Sequence, residues 1–185
     1  MRFGWARAAA IALVLGTAAC GQAGATGDTA GRNAAEATFF LKSNASQPGI
    51  VTLPSGLQYK VVQSGPSAGR SPDINDLVRL HYEGSLRDGT VFDSSFDRGQ
   101  PLLTAPEGFG GSPIIAGWTE ILQKMKPGDE WIVYVPPGLG YGEAGAPGTI
   151  PPNAVLVFRI QMLDVAHTPD DIRTIPAMTP DSANG

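Results

Sequence analysis

Between Leu80 and Asp164 the chain carries aromatic and branched side chains set among glycines and prolines, in the runs LHYEGSLRDGTVFDSSFDRGQP, IIAGWTEILQKMKPGDEWIVYVPP and YGEAGAPGTIPPNAVLVFRIQMLD. Almost no side chain there can do covalent chemistry. Such a segment can enclose an apolar pocket ringed by a few hydrogen-bonding groups, which suits a reaction eased by its surroundings alone. Rotation about a peptide bond is one. Ser94, Ser95 and His81 are the residue types of a hydrolase, but His81 lies on the strand face opposite Tyr82 and the chain has no G-x-S-x-G elbow. The two histidines, His81 and His167, are too isolated for a metal site. YGEAGAPG lacks the lysine and the strand-loop-helix setting of a phosphate loop. No cofactor is called for.

These residues must be held by short elements. Leu57 to Val62 alternates as a first strand. Leu77 to Tyr82 alternates cleanly, with Val78, Leu80 and Tyr82 on one face and Leu77, Arg79 and His81 on the other, so that one face is core. Arg87-Asp88-Gly89-Thr90 is a turn, and Val91-Phe92-Asp93 opens a further strand. Trp118 to Lys124 has helical spacing at Trp118, Ile121 and Leu122, closed by Lys126-Pro127-Gly128-Asp129. Glu130 to Val135 and Ala154 to Asp164 are two more strands, joined through a Gly/Pro-rich loop. The order predicts an α+β domain in which an antiparallel sheet packs on one short helix.

The chain has 185 residues, with 42% apolar and 16% charged residues and a net charge of -4. This is the composition of a globular domain with extensions, and it offers no basic surface for nucleic acid. The first nineteen residues read as an export signal: Arg2 and Arg7 at the positive end, Ala8 to Leu15 as the apolar stretch, and Gly16 to Ala19 as a small-residue cleavage zone. The apolar stretch is shorter than the roughly 20 residues of a membrane span. Cys20, the sole cysteine, follows Thr17-Ala18-Ala19. This resembles the lipobox of bacterial lipoproteins, with Thr17 where leucine is usual, and implies that Cys20 is lipidated. A lone cysteine also excludes an intramolecular disulfide. Residues 20–33 read as the anchor and a flexible tether, 34–50 as a short helix and linker, 51–165 as the functional domain, and 166–185 as a disordered tail containing Pro169, Pro176 and Pro180.

Taken singly, each of these residues has an ordinary structural role. Aromatics in strands are usually core, and an aspartate before Ser94-Ser95 usually caps a turn. Taken in order, VFDSS, GW, YG and IPPNAVLVF resemble the FKBP-type peptidyl-prolyl cis-trans isomerases over about Leu57 to Val165. The lead-in VTLPSGLQYKV is similar to the exported bacterial subgroup related to macrophage infectivity potentiator.

The resemblance implies a curved, half-barrel sheet wrapped on one helix. It also implies a proline pocket with Trp118 as floor and Tyr82, Phe92, Tyr141 and Phe158 as walls. Asp93 would sit inside, paired with Arg98. Ile114 and Ile115 would precede the tryptophan, with the Ile115 N–H offered to the substrate, and Ile150 would overhang. Leu102 replaces a frequent aromatic, and Ala146 a larger loop residue. Thr104 to Ser112 is a longer connection than usual, leaving open whether Phe109 returns an aromatic to the rim.

The implied activity is isomerisation of Xaa-Pro bonds in exported or envelope proteins, with macrolides of the rapamycin type competing for the pocket. The reduced helical lead-in implies a monomer. The implied location is the cell envelope, periplasm-facing, tethered through Cys20; Gly21 after the cysteine resembles the outer-membrane default. A non-catalytic proline-binding chaperone or module is the alternative from another class, and a surface factor meeting host proteins is a third.

Overall fold

The computed structural model describes residues 24–168. The signal segment, Cys20 and most of the tail lie outside the described residues. Seven strands form one sheet: β1 (Ile50–Thr52), β2 (Gln58–Gln63), β3 (Leu77–Leu86), β4 (Val91–Ser94), β5 (Leu102–Thr104), β6 (Glu130–Val135) and β7 (Leu156–Ala166). Their spatial order is β1-β2-β6-β7-β3-β4, with β5 paired to β3, and the paired strands run antiparallel. Helix α1 covers Gly24–Asn44 and α2 covers Ala116–Leu122.

Alternation sets the core, as expected of a sheet with one covered face. Val78, Leu80 and Tyr82 of β3, Trp131, Val133 and Val135 of β6, and Leu156, Phe158, Ile160 and Met162 of β7 are all buried. Against them α2 presents Gly117, Trp118, Ile121 and Leu122. Gly117 permits this approach, since a Cβ there would stand 2.7 Å from Val135 Cγ1 and 3.2 Å from Leu57 Cδ1. The half-barrel reading of the sequence matches this open antiparallel sheet around one short helix.

Two expectations are corrected and two strands are added. Part of the segment read as tether is helical, because α1 begins at Gly24 rather than near Ala34. Its glycines oppose helix, but tertiary contacts from Ala30 and Asn33 to residues 152–153 supply what composition lacks. Strands β1 and β5 were not read in the sequence, being three residues each and too short to show a period. The start of the tail is fixed: Asp76, fully buried, accepts bonds from the backbone N–H groups of Asp73 (2.8 Å) and Thr168 (2.7 Å) and lies 2.6 Å from His167 Nδ1.

Candidate functional site

The site forms where β3, β4, β7 and α2 meet. Gly84 of β3 is the register partner of both Asp93 on β4 and Phe158 on β7. A Cβ on Gly84 would stand 2.7 Å from Phe158 and 2.8 Å from Phe92. Its missing side chain is therefore the space in which those two rings meet edge to face, centroids 5.7 Å apart at 89°. The same strand carries Tyr82 one pleat away, on the same face.

Trp118 lies beneath this cluster as the second residue of a short apolar helix face. Its ring meets Tyr82 at 5.0 Å and 86°, and Phe158 at 5.3 Å and 80°. Edge-to-face pairs of this kind add about 0.5–1.5 kcal/mol each beyond area burial. The indole N–H of Trp118 is buried and makes no hydrogen bond among the described residues, so ring packing alone holds the indole.

The cavity above has a volume of about 490 Å³ and is lined by Tyr82, Phe92, Asp93, Leu102, Ile114, Ile115, Trp118, Tyr141 and Phe158, together with Pro113, Ala116 and Gly140. Arg98 does not line it but reaches in from outside, with its guanidinium on Asp93 and 2.9 Å from the Tyr82 hydroxyl. Tyr82 Oη in turn donates to Asp93 Oδ2 at 2.5 Å. Carboxylate, phenol and guanidinium thus form a closed triangle at the rim. Ile150, expected over the pocket, is instead 5% exposed and packs in the core. The reason is the backbone pair between Ala146 and Ile150, which folds the loop tip back on itself. Phe109 is half exposed and lines a separate groove with Leu77 and Ala105, so it does not return an aromatic to this rim.

The electrostatics follow from the triangle. Burial alone would raise the Asp93 carboxyl, but the hydrogen bonds from Tyr82 and Arg98 and the charge of Arg98 outweigh it and hold the group below its ordinary value. Burial, then the Asp93 carboxylate, pushes the Tyr82 phenol up. The rim is therefore a fixed carboxylate and a neutral phenol at neutral pH. Neither is poised to exchange a proton.

The Ser–His contact between Ser95 and His81 leads nowhere chemically. Ser95 Oγ lies 2.9 Å from His81 Nδ1, but Ser95 is fully buried and its hydroxyl oxygen accepts the Tyr82 N–H at 2.8 Å. It ties β3 to the residue after β4. Among the described residues no group of three or more His, Cys, Asp or Glu side chains is placed to hold a metal ion.

Sequence reasoning missed Pro113, Ala116, Gly140 and Gly84. Gly84 had a legible signal, a glycine inside an alternating strand, which marks a close approach. Ala116 and Gly140 carry no signal beyond being small.

Residues 68–163 match the family described as FKBP-type peptidyl-prolyl cis-trans isomerase. The chain belongs to that family. Residues 11–61 match the domain amino terminal to FKBP-type peptidyl-prolyl isomerase. The peptidyl-prolyl cis-trans isomerase Mip of Coxiella burnetii is 50% identical over 133 residues, covering 72% of this chain and 55% of that protein. The outer membrane protein MIP of Legionella longbeachae is 46% identical over 133 residues, covering 72% of this chain and 54% of that protein. The chain thus spans about half the length of these relatives. Among solved structures, FkpA from Escherichia coli superposes with a TM-score of 0.70 at 39% identity, covering 78% of this chain and 64% of that one. The peptidyl-prolyl cis-trans isomerase of Pseudomonas syringae pv. tomato gives 0.66 at 31% identity, covering 74% of this chain and 95% of that one.

Proposed function

We propose that this FKBP-type domain accelerates cis-trans rotation of Xaa-Pro bonds in exported or envelope proteins, with the cavity over Trp118 as its active site. The observation that carries the proposal is the ring cluster of Trp118, Tyr82, Phe92 and Phe158 closed on one side by the Tyr82–Asp93–Arg98 triangle. It is an apolar floor with a polar edge and no free nucleophile.

The uncatalysed barrier is about 18–20 kcal/mol because rotation breaks amide resonance. For Xaa-Pro the two isomers differ by only about 0.5–1 kcal/mol, and exchange takes tens to hundreds of seconds. At the twisted transition state the amide is less polar than in either planar form. An apolar cavity therefore disfavours the planar ground states relative to the twisted one, and every tenfold of rate requires about 1.4 kcal/mol of that difference.

The proline ring sits on the Trp118 indole. Ile115, in extended conformation just before α2, offers its N–H to a substrate carbonyl and holds one side of the bond static. Tyr141, with 44% of its surface exposed, offers its hydroxyl to the carbonyl on the other side. The Asp93 carboxylate interacts with the rotating amide carbonyl, and Arg98 and Tyr82 keep it in place. Leu102 and Ile114 give the residue before proline an apolar wall. Macrolides of the rapamycin type compete for the same cavity.

The test is the cis-to-trans rate of a short Xaa-Pro-Phe peptide with wild type, Asp93→Leu and Phe158→Ala. Acceleration by the wild type that falls in folded variants supports the proposal. Peptide binding without acceleration turns the protein into a proline-binding module, a reading that the aliphatic wall at Leu102 favours. The name of the Legionella longbeachae relative supports an envelope location, and we infer attachment through a lipid on Cys20. Labelled fatty acid entering wild type and Cys20→Ser equally would sink that inference.

A further inference from the structure

Asn153 is the one non-glycine residue with positive φ (53°) among the described residues. The left-handed conformation is tolerated by asparagine more than by most side chains, but here the side chain does not bond locally. Its Nδ2 donates to the carbonyl of Ala30 in helix α1 at 3.0 Å, while its backbone N–H donates to the Gly142 carbonyl at 2.8 Å. The first bond crosses to a distant helix. The second closes the loop of residues 142–153 directly after Tyr141.

A reciprocal bond runs the other way. Asn33 Nδ2 donates to the Pro152 carbonyl at 2.8 Å. Ala30 and Asn33 are one turn apart and so share a face of α1. One turn of helix therefore clasps two adjacent loop residues, each side donating once. The next turn is fixed as well, because Glu36 pairs with Arg87 in the turn after β3 and Ala37 is buried.

The other backbone bonds of the loop are local: Gly142 N–H to Pro137, Gly145 N–H to Tyr141, Thr149 N–H to Ala146, and the Ala146–Ile150 pair. Gly142 and Gly148, where an added Cβ would meet open space, leave this backbone easy to deform. Ile150 anchors the loop tip in the core, and the tie at Pro152 and Asn153 fixes its return end to α1.

We propose that Asn153 and Asn33 are positioning residues that hold the Tyr141 wall over the cavity through helix α1. The inference rests on the isomerase reading for its consequence, though the clasp itself can be tested apart from catalysis. Neither residue lines the cavity. Tyr141 stands between the Pro137–Leu139 turn and this loop and meets the substrate in both its planar and twisted forms, so a displaced wall weakens binding more than turnover.

The full chain is tested as wild type, Asn33→Ala, Asn153→Gly and the double variant. Glycine keeps the left-handed backbone and the bond to Gly142 while removing the tie to α1. Each single variant is expected to raise KM for an Xaa-Pro peptide about fivefold, with kcat within about twofold. The double variant should be no worse than about the weaker single, because the two bonds act as one clasp. KM unchanged in all three variants beside an active wild type overturns the inference. So does a parallel fall of kcat and melting temperature, which would mean a structural role only. Hydrogen exchange at the Gly142 and Gly145 amides gives the second readout. Faster exchange in the variants is expected, and unchanged exchange refutes the clasp even if the wild type proves inactive, an outcome that would separately refute the isomerase reading.

Discussion

Replacing Gly84 with alanine tests whether the ring cluster depends on the space this residue leaves. The added Cβ would stand 2.7 Å from Phe158 Cε1 and 2.8 Å from Phe92 Cε2 and Cζ. Carbon atoms rest at about 3.5–4.0 Å, so the rings, or the strand beneath them, must move by about 1 Å. Overpacking of this size costs about 1–3 kcal/mol, against about 0.5–1 kcal/mol regained by removing a glycine from a strand. The net loss of stability is about 1–2 kcal/mol, too little to unfold a domain of ordinary stability. The effect on rate is larger, because Phe158 also abuts Trp118 at 5.3 Å and a displacement of about 1 Å at a positioned site costs about 10²-fold. The expected result is a fall in kcat/KM of about 10²-fold for an Xaa-Pro-Phe peptide, read in a protease-coupled assay with the variant shown folded by near-ultraviolet circular dichroism. If kcat/KM stays within about twofold of wild type in the folded variant, the space at Gly84 does not set the cavity and the reasoning fails.

The remaining predictions concern the charged rim, the start of the tail and the pocket floor. The Asp93 carboxyl titrates below its ordinary value in the folded protein, so its contribution to stability is present above the unfolded value and is lost as pH falls through the folded one. Between about pH 5 and 8 it stays ionised, so kcat/KM should be flat with pH there; Tyr82→Phe removes a donor to Asp93, and carboxyl titration by NMR should then move up, whereas an unmoved titration would deny the bond its role. Asp76 is lowered from 3.8 to about 2: burial raises it, and the bonds from Asp73, Thr168 and His167 more than offset that. The lowering contributes about 2 kcal/mol of stability at neutral pH. That contribution is fully present above the unfolded value and lost as pH falls toward the folded one, so Asp76→Ala should lower the urea midpoint by about 1 M at pH 7 and by progressively less in acid; a gap that stays constant in acid would refute it. Trp118→Leu leaves the floor apolar but removes the surface that Tyr82 and Phe158 meet edge-on, and should lower peptide affinity at least about tenfold in isothermal titration, with full retention counting against the proposed floor.

Strands β3, β6 and β7 were legible because each buries one face, so period-two alternation survives in the sequence: Val78, Leu80 and Tyr82 are buried while Arg79 is exposed. Strands β1 and β5 were not, since three residues cannot display a period and their pairing is decided by β2 and β3. The amino-terminal half of α1 was hidden for the opposite reason, its glycines arguing against a helix that tertiary bonds to residues 152–153 support. Of the candidate site, the aromatic residues were legible as types, but whether they meet was not. Ile150 shows the limit, because a backbone pair between Ala146 and Ile150 sends it into the core. No side-chain pattern announces that pair.

What unites the site is register on a single strand. Tyr82 and Gly84 face the cavity because they share parity on β3, with Gly84 opposite both Asp93 and Phe158. A slip of one residue would turn Tyr82 outward and bring His81 into the pocket. Such a slip is opposed from three sides. Ser95 Oγ accepts the Tyr82 N–H, and the Ser95 N–H returns a bond to the Tyr82 carbonyl at 2.9 Å. On the outer face, His81 stacks on Phe96 with ring centroids 4.7 Å apart. On the far edge, ten residue pairs fix β3 to β7. On the proposed isomerase reading, a catalyst without a nucleophile derives its rate from the shape of its cavity, so the residues that lock this register would contribute to function while lying outside the pocket. Ser95, fully buried and hydrogen-bonded to the backbone of the strand that carries Tyr82, is better understood as part of that lock than as a reactive serine.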